Sequence, residues 1–420
     1  MRKLLPLFVF LGMCLAAGRS YAGEVDILLK KLVEKDVLSA GEAQQVKIET
    51  QEQVKKELAT GKSASVPAWA QNIKIKGDAR IRYQYKHEKA AHNYSKDTQI
   101  GRVRMRLGLE GRVNDQLMAG VGLATGSGDP RSTNISFGGY DTKKTMVLDY
   151  AYGKYSPLNG LNIIGGKMLL NDALWTPTDL VWDSDITPEG GVIQINKDLG
   201  SKTSVFMNSG VLIVDADTSS DADAPTAYLF QPGITHKFND DFSLKGAVSF
   251  QAFHNVKSHV RSSYSSASNS ASTTSGSTMY LYDYQMLNPA VEFKIKEPFQ
   301  ALELNVETLK LLGEYVNNLD VSDKGSGFCL GFKLGQDKVA KWGDWQFKYL
   351  YAMLAKDAVL DVLPDSDRYG GKTSIRSHEG ELTLGLGKNT SIGVDVYRSW
   401  RTLSTRAPET LVQVDWNMKF

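Results

Sequence analysis

The chain has 420 residues, with 49 lysines and arginines against 47 aspartates and glutamates. This balance gives no overall field that would favour nucleic acid or another strongly charged partner. Of its two cysteines, Cys14 falls in a predicted signal peptide and only Cys329 remains, which excludes an internal disulfide and, without a CxxCH motif, covalent haem. We predict no metal and no cofactor, and the 38 Gly, 18 Tyr and 15 Phe favour many strands over a helical core.

The first 22 residues have the pattern of a secretory signal peptide. Arg2 and Lys3 precede an apolar run that ends at Gly18, and the small residues of "SYA" predict cleavage after Ala22. This run is shorter than the roughly 20 residues that a membrane-spanning helix needs, and no other segment approaches that length. Any membrane span must therefore be built from strands.

Residues 24–60 show helical spacing of apolar side chains, and Ser39 followed by Glu42 predicts a capping box that opens a second helix. We expect a periplasmic helical hairpin or short coiled coil that acts in oligomerisation or as a spacer, with a cell-wall contact as the alternative. Residues 61–71 are a predicted linker.

From residue 72 onward the apolar period changes to two, which is typical of strands. Most of the segments are close to the roughly 9 to 11 residues that a tilted strand needs to cross a bilayer. The sixteen predicted strands are 72–85, 99–113, 116–125, 145–155, 161–168, 190–198, 202–213, 227–237, 242–253, 279–295, 300–316, 326–335, 343–354, 378–387, 391–401 and 410–420.

The connections between these strands alternate between short turns and longer loops. This pattern predicts an all-β membrane protein, in which 72–420 form an antiparallel up-and-down barrel of about sixteen strands with both ends on the periplasmic side. The serine-rich stretch 261–278 is expected to be a mobile external loop, because it cannot bury enough apolar surface to fold alone.

Basic side chains share one parity on the first two predicted strands. Facing lipid at mid-membrane depth, each arginine would cost roughly 2 to 4 kcal/mol, so we expect these side chains to point into the lumen. A soluble sandwich explains one such strand, but sixteen charged inner faces leave no dry core, whereas a barrel encloses a channel. The predicted basic wall consists of Lys74, Lys76, Arg80, Arg82, Arg102, Arg104, Arg106 and Arg112.

The chain ends in "TLVQVDWNMKF", which alternates and finishes on an aromatic residue. Trp416, Met418 and Phe420 resemble the C-terminal signal by which bacterial outer-membrane barrels are recognised by the barrel-assembly machinery. Tyrosines and tryptophans near the predicted strand ends suit the aromatic girdles of such barrels.

The motifs "RIRYQY", "GRVRMRLGLEGRV", "LMAGVGLATGSGDPRSTN", "LDYAYGKYSP" and "LNIIGGKM" follow one another over about residues 72–168. In this order they resemble the bacterial putative-porin family of outer-membrane barrels, and the segment 24–60 is similar to the leader of that family. The resemblance implies a channel in the outer membrane of a Gram-negative bacterium, in contact with its lipid and lipopolysaccharide, and a homo-oligomer, specifically a trimer. It fixes no substrate.

The third long loop, 169–189, carries five acids and no base. In general porins the third external loop folds into the lumen, so we expect this loop to narrow the pore opposite the basic wall. The alternative is a solvated outer loop whose acids bind divalent cations or lipopolysaccharide-bridging ions. The acids are Asp172, Asp179, Asp183, Asp185 and Glu189.

These patterns favour a porin, a water-filled channel for passive ion and solute transport that admits small hydrophilic solutes with some preference for anions. The alternative is a scaffold or sheath for a partner threaded through the lumen, such as a multihaem cytochrome. An enzyme is not expected. Ser249 and His254 are near in sequence but five positions apart on a strand, so they fall on opposite faces and cannot act as nucleophile and base.

Overall fold

The structure is a computed structural model that describes residues 29, 31–35, 37–60, 72–89, 95–216, 224–300, 306–402 and 407–420. The predicted signal peptide 1–22 and linker 61–71 lie outside this part of the chain, as does the beginning of the helical segment. Helix α1 spans Ala40–Thr60. Its capping box is formed, because the Ser39 amide donates to Glu42 Oε2 at 2.8 Å and the Glu42 amide donates to Ser39 Oγ at 3.2 Å. None of the described helices is long and apolar enough to span a membrane.

Residues Ile73–Phe420 form a separate compact unit made mainly of strands. Its short helices are α2 (Leu170–Ala173) and a 3₁₀ turn (Tyr369–Gly371). The strands are β1 (Ile73–Lys89), β2 (Ser95–Arg112), β3 (Leu117–Thr125), β4 (Ile135–Ser136), β5 (Met146–Leu158), β6 (Leu161–Lys167), β7 (Glu189–Asp198), β8 (Thr203–Ile213), β9 (Thr226–Lys237), β10 (Phe242–His254), β11 (Ala271–Thr274), β12 (Ser277–Tyr280), β13 (Tyr284–Lys296), β14 (Thr308–Asn318), β15 (Ser326–Gly335), β16 (Trp345–Leu354), β17 (Ile375–Gly387), β18 (Thr390–Arg401) and β19 (Glu409–Lys419).

The main sheet has seventeen strands, which are sixteen barrel strands and the two-residue β4 attached to β2. Each barrel strand pairs antiparallel with its neighbours, and β1 pairs with both β2 and β19, so the sheet is closed. The predicted sixteen-stranded antiparallel barrel is confirmed. Closure removes the exposed edges that an open sheet of this size would present.

Mostly short turns join the strands at one end of the barrel, the turn side, and mostly longer loops join them at the other, the loop side. Four of the long loops, named here for their order along the chain, are described in full. They are L2 (126–145), L3 (168–188), L5 (255–283) and L7 (355–374).

Much of the barrel interior is apolar, which the sequence did not predict. Side chains of L3 and L7 pack against inward side chains of β6 to β10 and β13 to β17, and we call this group the inner cluster. Charged side chains such as Glu314 of β14 and Lys348 of β16 lie among these apolar ones, but the expectation that the inner faces of all sixteen strands are charged was wrong. Members of the inner cluster include Ile164, Leu174, Leu180, Trp182, Val192, Leu212, Leu229, Phe253, Met286, Leu350, Leu360 and Leu363.

The serine-rich stretch is ordered by polar contacts with L7. The buried Asp361 carboxylate accepts hydrogen bonds from Ser265 Oγ at 2.7 Å, from the amide of Ser268 at 2.7 Å and from Tyr280 Oη at 3.1 Å. The prediction of an independently mobile loop was wrong, because hydroxyl and amide donors can order a loop around a buried carboxylate without an apolar core.

Candidate functional site

The arginines of β1 and β2 face the lumen. In the antiparallel register Arg80 lies opposite Arg104 and Arg82 opposite Arg102, and Asp78 lies opposite Arg106. The side chains of opposite parity, such as Ile81 and Met105, are exposed on the outer surface of the barrel. Strand alternation therefore produces both faces at once.

Carboxylates of the same strands and of β19 neutralise much of this row. Asp78 binds Arg104 Nη2 and Arg106 Nε, each at 2.8 Å. Arg82 donates Nε and Nη2 to the two carboxylate oxygens of Asp415 at 2.7 and 2.8 Å, in a bidentate pair. Bidentate pairs of this kind hold both partners in a fixed geometry.

The two acids at the end of L3 lie beside the arginine row and not across an open gap from it. Asp185 Oδ1 is 3.4 Å from Arg106 Nη1, and its other oxygen is within 3.4 Å of the Thr133 amide in L2. Asp183 is buried and accepts the Ser366 amide of L7 at 2.9 Å. Burial, together with the nearby carboxylates of Asp365 and Asp185, raises the pKa of Asp183 well above the ordinary value.

The remaining predicted acids occupy three different places. Asp172 pairs with Lys154 of β5 at 3.2 Å, away from the arginine row. Asp179 lies in the lumen, and burial raises its pKa. Glu189 begins β7 on its outward face, where it pairs with Lys167 at 2.9 Å and is exposed, so its assignment to the constriction was wrong. Strand β7 already begins at Glu189, so alternation places Glu189 on the same outward face as Ile193, four residues later.

The outer members of the predicted basic wall lie at the turn side of the barrel. Lys76 binds Glu110 at 2.7 Å and is largely exposed. Lys74 and Arg112 are also exposed, and no described residue forms an ion pair with either. The basic wall thus divides into exposed side chains near the turns and half-buried or buried arginines deeper in the barrel.

L7 contributes charged residues that the sequence interpretation missed. Asp367 lies 3.1 Å from Arg82 Nη1, so L7 as well as L3 contacts the arginine row. Arg368 is buried and donates Nη2 to Glu379 at 2.7 Å. Burial is the main cause that raises the pKa of Asp365 to about 7. The acids spaced along "KDAVLDVLPDSDR" were the available signal for this second inward loop.

Glu379, Glu381 and Asp395 approach one another closely enough to suggest a cation site. Lys348 of β16 already serves as their counter-ion, because its ammonium lies 2.5 Å from Glu379 and 2.6 Å from Glu381. The cluster is therefore best described as an ion-pair network and not as a metal centre.

A cavity of about 260 Å³ lies between the arginine row and these loops. A second space of about 470 Å³ adjoins L3 and shares Asp179, Asp185 and Lys348 with it. The charged residues of the first cavity are Arg80, Arg82, Arg104, Arg131, Asp179, Asp183, Asp185, Lys348, Asp365, Asp367, Glu381, Asp395 and Asp415. This charged cavity is the candidate constriction.

The residues of the predicted assembly signal lie on β19 and directly after it. Trp416 is exposed on the outer surface and donates Nε1 to Thr390 Oγ1 at 3.1 Å, and Met418 has the same parity. The backbone of Phe420 exchanges two 3.0 Å hydrogen bonds with Gly77.

Ser249 and His254, the pair rejected as nucleophile and base, lie on opposite faces of β10. Ser249 is buried inside the barrel, whereas the ring of His254 packs against Tyr228 on the outside.

A family model described as "Putative porin" matches residues 86–285 and 282–420, which is most of the chain. The chain belongs to this porin family. Its fold is also similar to solved porins. It superposes on Pseudomonas putida OprB with a TM-score of 0.52 and 9% identity, over 83% of this chain and 94% of that one.

Two further structures cover the same 83% of this chain. The outer membrane channel DcaP of Acinetobacter baumannii gives a TM-score of 0.46 at 14% identity over 97% of its length. A triple mutant of the Rhodopseudomonas blastica porin gives 0.44 at 11% identity over its full length. No curated protein sequence matches the chain. The family and fold are those of outer-membrane channels.

Proposed function

We propose that this porin is a passive diffusion channel for small hydrophilic solutes in the outer membrane, and that L3 and L7 form its constriction. The observation that carries the proposal is the charged cavity of about 260 Å³ between the arginine row and the two loops. The outward apolar side chains support insertion in lipid, and the inward charged ones support a hydrated path.

We propose only a weak preference for anions. The arginine row alone would favour anions, but Arg82, Arg104 and Arg106 are each paired with a carboxylate. Eight acids and five bases line the cavity, but burial raises the pKa of Asp179, Asp183 and Asp365, which reduces the negative charge of the lining and leaves it nearer to balance. Of the arginines that line it, Arg80 and Arg131 have the longest ion pairs, with Asp415 and Asp129 each at 3.5 Å.

Single-channel recording of the purified protein in a salt gradient tests this proposal. We expect an open channel with ohmic conductance, and a small reversal potential whose sign shows that anions cross more easily than cations. In R80Q/R104Q we expect that potential to move towards cations, because two positive charges at the cavity are removed.

The matched control is K74Q, which removes an exposed charge at the turn side and should leave the reversal potential unchanged. No conductance in the unaltered protein would contradict the channel. A strong cation preference in the unaltered protein, or an equal shift in K74Q, would contradict the role given to the arginine row.

The inner cluster disfavours the alternative of a sheath around a threaded partner. Side chains of L3 and L7 fill the space between the walls, with Trp182 and Leu360 buried there. A cytochrome would need both loops to leave the lumen, at the cost of that burial. We therefore propose no sheath role, and no catalytic activity.

We also propose a trimer whose N-terminal segment lies in the periplasm, with the C-terminal Trp416, Met418 and Phe420 as the signal for the barrel-assembly machinery. The support is the family resemblance and the exposed position of Trp416 and Phe420. Native mass spectrometry of the protein in detergent tests the stoichiometry, and a monomer as the largest species would contradict it.

A further inference from the structure

A row of polar and basic side chains crosses the outer surface of the barrel near its loop side. The pairing registers place Tyr351, His378, Arg398, Thr410 and His87 directly opposite one another on five neighbouring strands, from β16 through β19 to β1. Their neighbours of opposite parity, such as Ser377 and Ser399, are buried inside the barrel. The row therefore faces away from the lumen.

Arg376 and Trp400 lie opposite each other in the next outward row, closer to the loops. We call Arg376, His378, Arg398 and Trp400 the outer patch. The His378 ring stands 5.5 Å from the ring of Trp400 and 4.9 Å from that of Tyr351, and its Nδ1 is 2.7 Å from Tyr349 Oη. These contacts fix the imidazole within an aromatic frame.

The two arginines of the outer patch have no acidic partner. Both are exposed, and no carboxylate of the described residues lies within ion-pair distance of either, although Arg398 donates Nη1 to Thr410 Oγ1. All other arginines of the described strands face the lumen. An outward arginine costs roughly 2 to 4 kcal/mol at the bilayer midplane and about 0 to 1 near an interface. Their place therefore indicates contact with polar head groups.

A second copy of the chain could supply few acids to this patch. Within the described barrel strands the outward acids are Asp97 and Glu189, and each already lies beside a base, Asp97 at 2.6 Å from His87 and Glu189 at 2.9 Å from Lys167. The strand acids of a second copy are therefore poor partners for the outer patch.

We propose that the outer patch binds the phosphoryl groups of a phosphorylated glycolipid in the external leaflet. The inference rests on the proposed outer-membrane location, in which the long loops are external. The planar guanidinium group of arginine can donate two parallel hydrogen bonds to the oxygens of one phosphate. Tryptophan and tyrosine side chains are common at the level of the lipid head groups, as Trp400 and Tyr351 would be here. The unpaired charge of Arg376 and Arg398 is the feature that this ligand would satisfy.

Native mass spectrometry of the full-length protein, with synthetic bisphosphorylated lipid A as the probe, tests the site. At about 1 kcal/mol for each arginine near a membrane surface, R376Q/R398Q should bind the lipid about 30-fold more weakly. The charge-preserving R376K/R398K should retain most of the binding. K167Q is the matched control, because it removes an outward cation that is already paired, and it should bind like the unaltered protein.

Two results would overturn the inference. They are equal binding of the lipid by R376Q/R398Q and the unaltered protein, and equal binding of lipid A and dephosphorylated lipid A by the unaltered protein. Loss of oligomers in R376Q/R398Q with unchanged lipid binding would assign the patch to a subunit interface instead.

Heat-modifiable electrophoretic mobility reports whether each variant is folded. Conductance separates this inference from the proposed function. Normal conductance together with equal lipid binding by R376Q/R398Q and the unaltered protein contradicts only the outer patch. Weaker lipid binding by R376Q/R398Q, with no conductance in the unaltered protein, contradicts only the channel.

Discussion

The two halves of the barrel interior hold loops L3 and L7 by different kinds of interaction. On β6 to β10 and β13 to β16 the loops are held by buried apolar side chains, whereas around β1, β2 and β19 they are held by ion pairs such as Asp185 with Arg106 and Asp367 with Arg82. Apolar burial involves no protonation and is not weakened by charge screening, whereas ion pairs in a wet cavity respond to both pH and salt. One half therefore supplies most of the apolar anchoring of the loops, and the other half supplies the arginines of the charged cavity.

Removing an anchor of the apolar half should have the largest effect. Trp182 is buried, its ring lies 6.4 Å from that of Phe253 in a tilted arrangement, and its Nε1 donates to Gln251 Oε1 at 2.8 Å. Trp182→Ala should cost about 3 to 5 kcal/mol of unfolding free energy and raise the single-channel conductance, because L3 loses its main anchor. Denaturant unfolding and planar-bilayer recording measure the two effects. Trp342→Ala, at an exposed turn position, is the control, and equal costs for both would contradict the anchoring role.

Breaking the pair of Arg82 tests the charged half. Arg82→Gln leaves the carboxylates of Asp415 and Asp367 without their main partner, and we expect a cost of about 3 kcal/mol. This is the lower end of the range for a broken buried pair, because Arg80 remains beside Asp415. The reversal potential should also shift towards cations. A stability loss without any change in selectivity would mean that Arg82 is remote from the ion path.

Acidic pH should strengthen the contact between L3 and L7. Burial raises the pKa of Asp365 to about 7 in the folded protein, so folding takes up a proton between about pH 4 and 7. The unfolding free energy should therefore fall as pH rises through this window, by up to about 1.4 kcal/mol for each unit of pKa shift. Asp365→Asn should weaken this pH dependence by about 1 to 2 kcal/mol. Thermal unfolding at pH 5 and pH 8 measures it, with exposed Asp141→Asn as the control.

An exposed pair at the turn side should contribute least. Lys76 is largely exposed where it meets Glu110, so Lys76→Gln should change the unfolding free energy by less than about 0.5 kcal/mol. Conductance should stay the same. If Lys76→Gln lowers the unfolding free energy as much as Arg82→Gln does, then the exposed basic residues at the turn side and the buried arginines contribute equally to stability, contrary to this expectation.

Strand alternation made the barrel and the direction of the arginines predictable. Arg80 and Arg104 face inward because Ile81 and Met105 face outward, and no tertiary information is needed for that. The inner cluster was not predicted, because β6 to β8 are apolar on both faces, as Val192 and Ile193 show, and only the outward face was interpreted. Asp367 was missed because its partner, Arg82, lies 285 residues away in sequence.

The pairing of Arg82 with Asp415 also spans the seam where the first strand meets the last. The network that joins Asp367 to Arg82 and Asp415 therefore needs β1 and β19 to be paired, and it is complete only in a closed barrel. A barrel that is open between its first and last strands would lack this network, so closure of the sheet and formation of the charged cavity are coupled in one step.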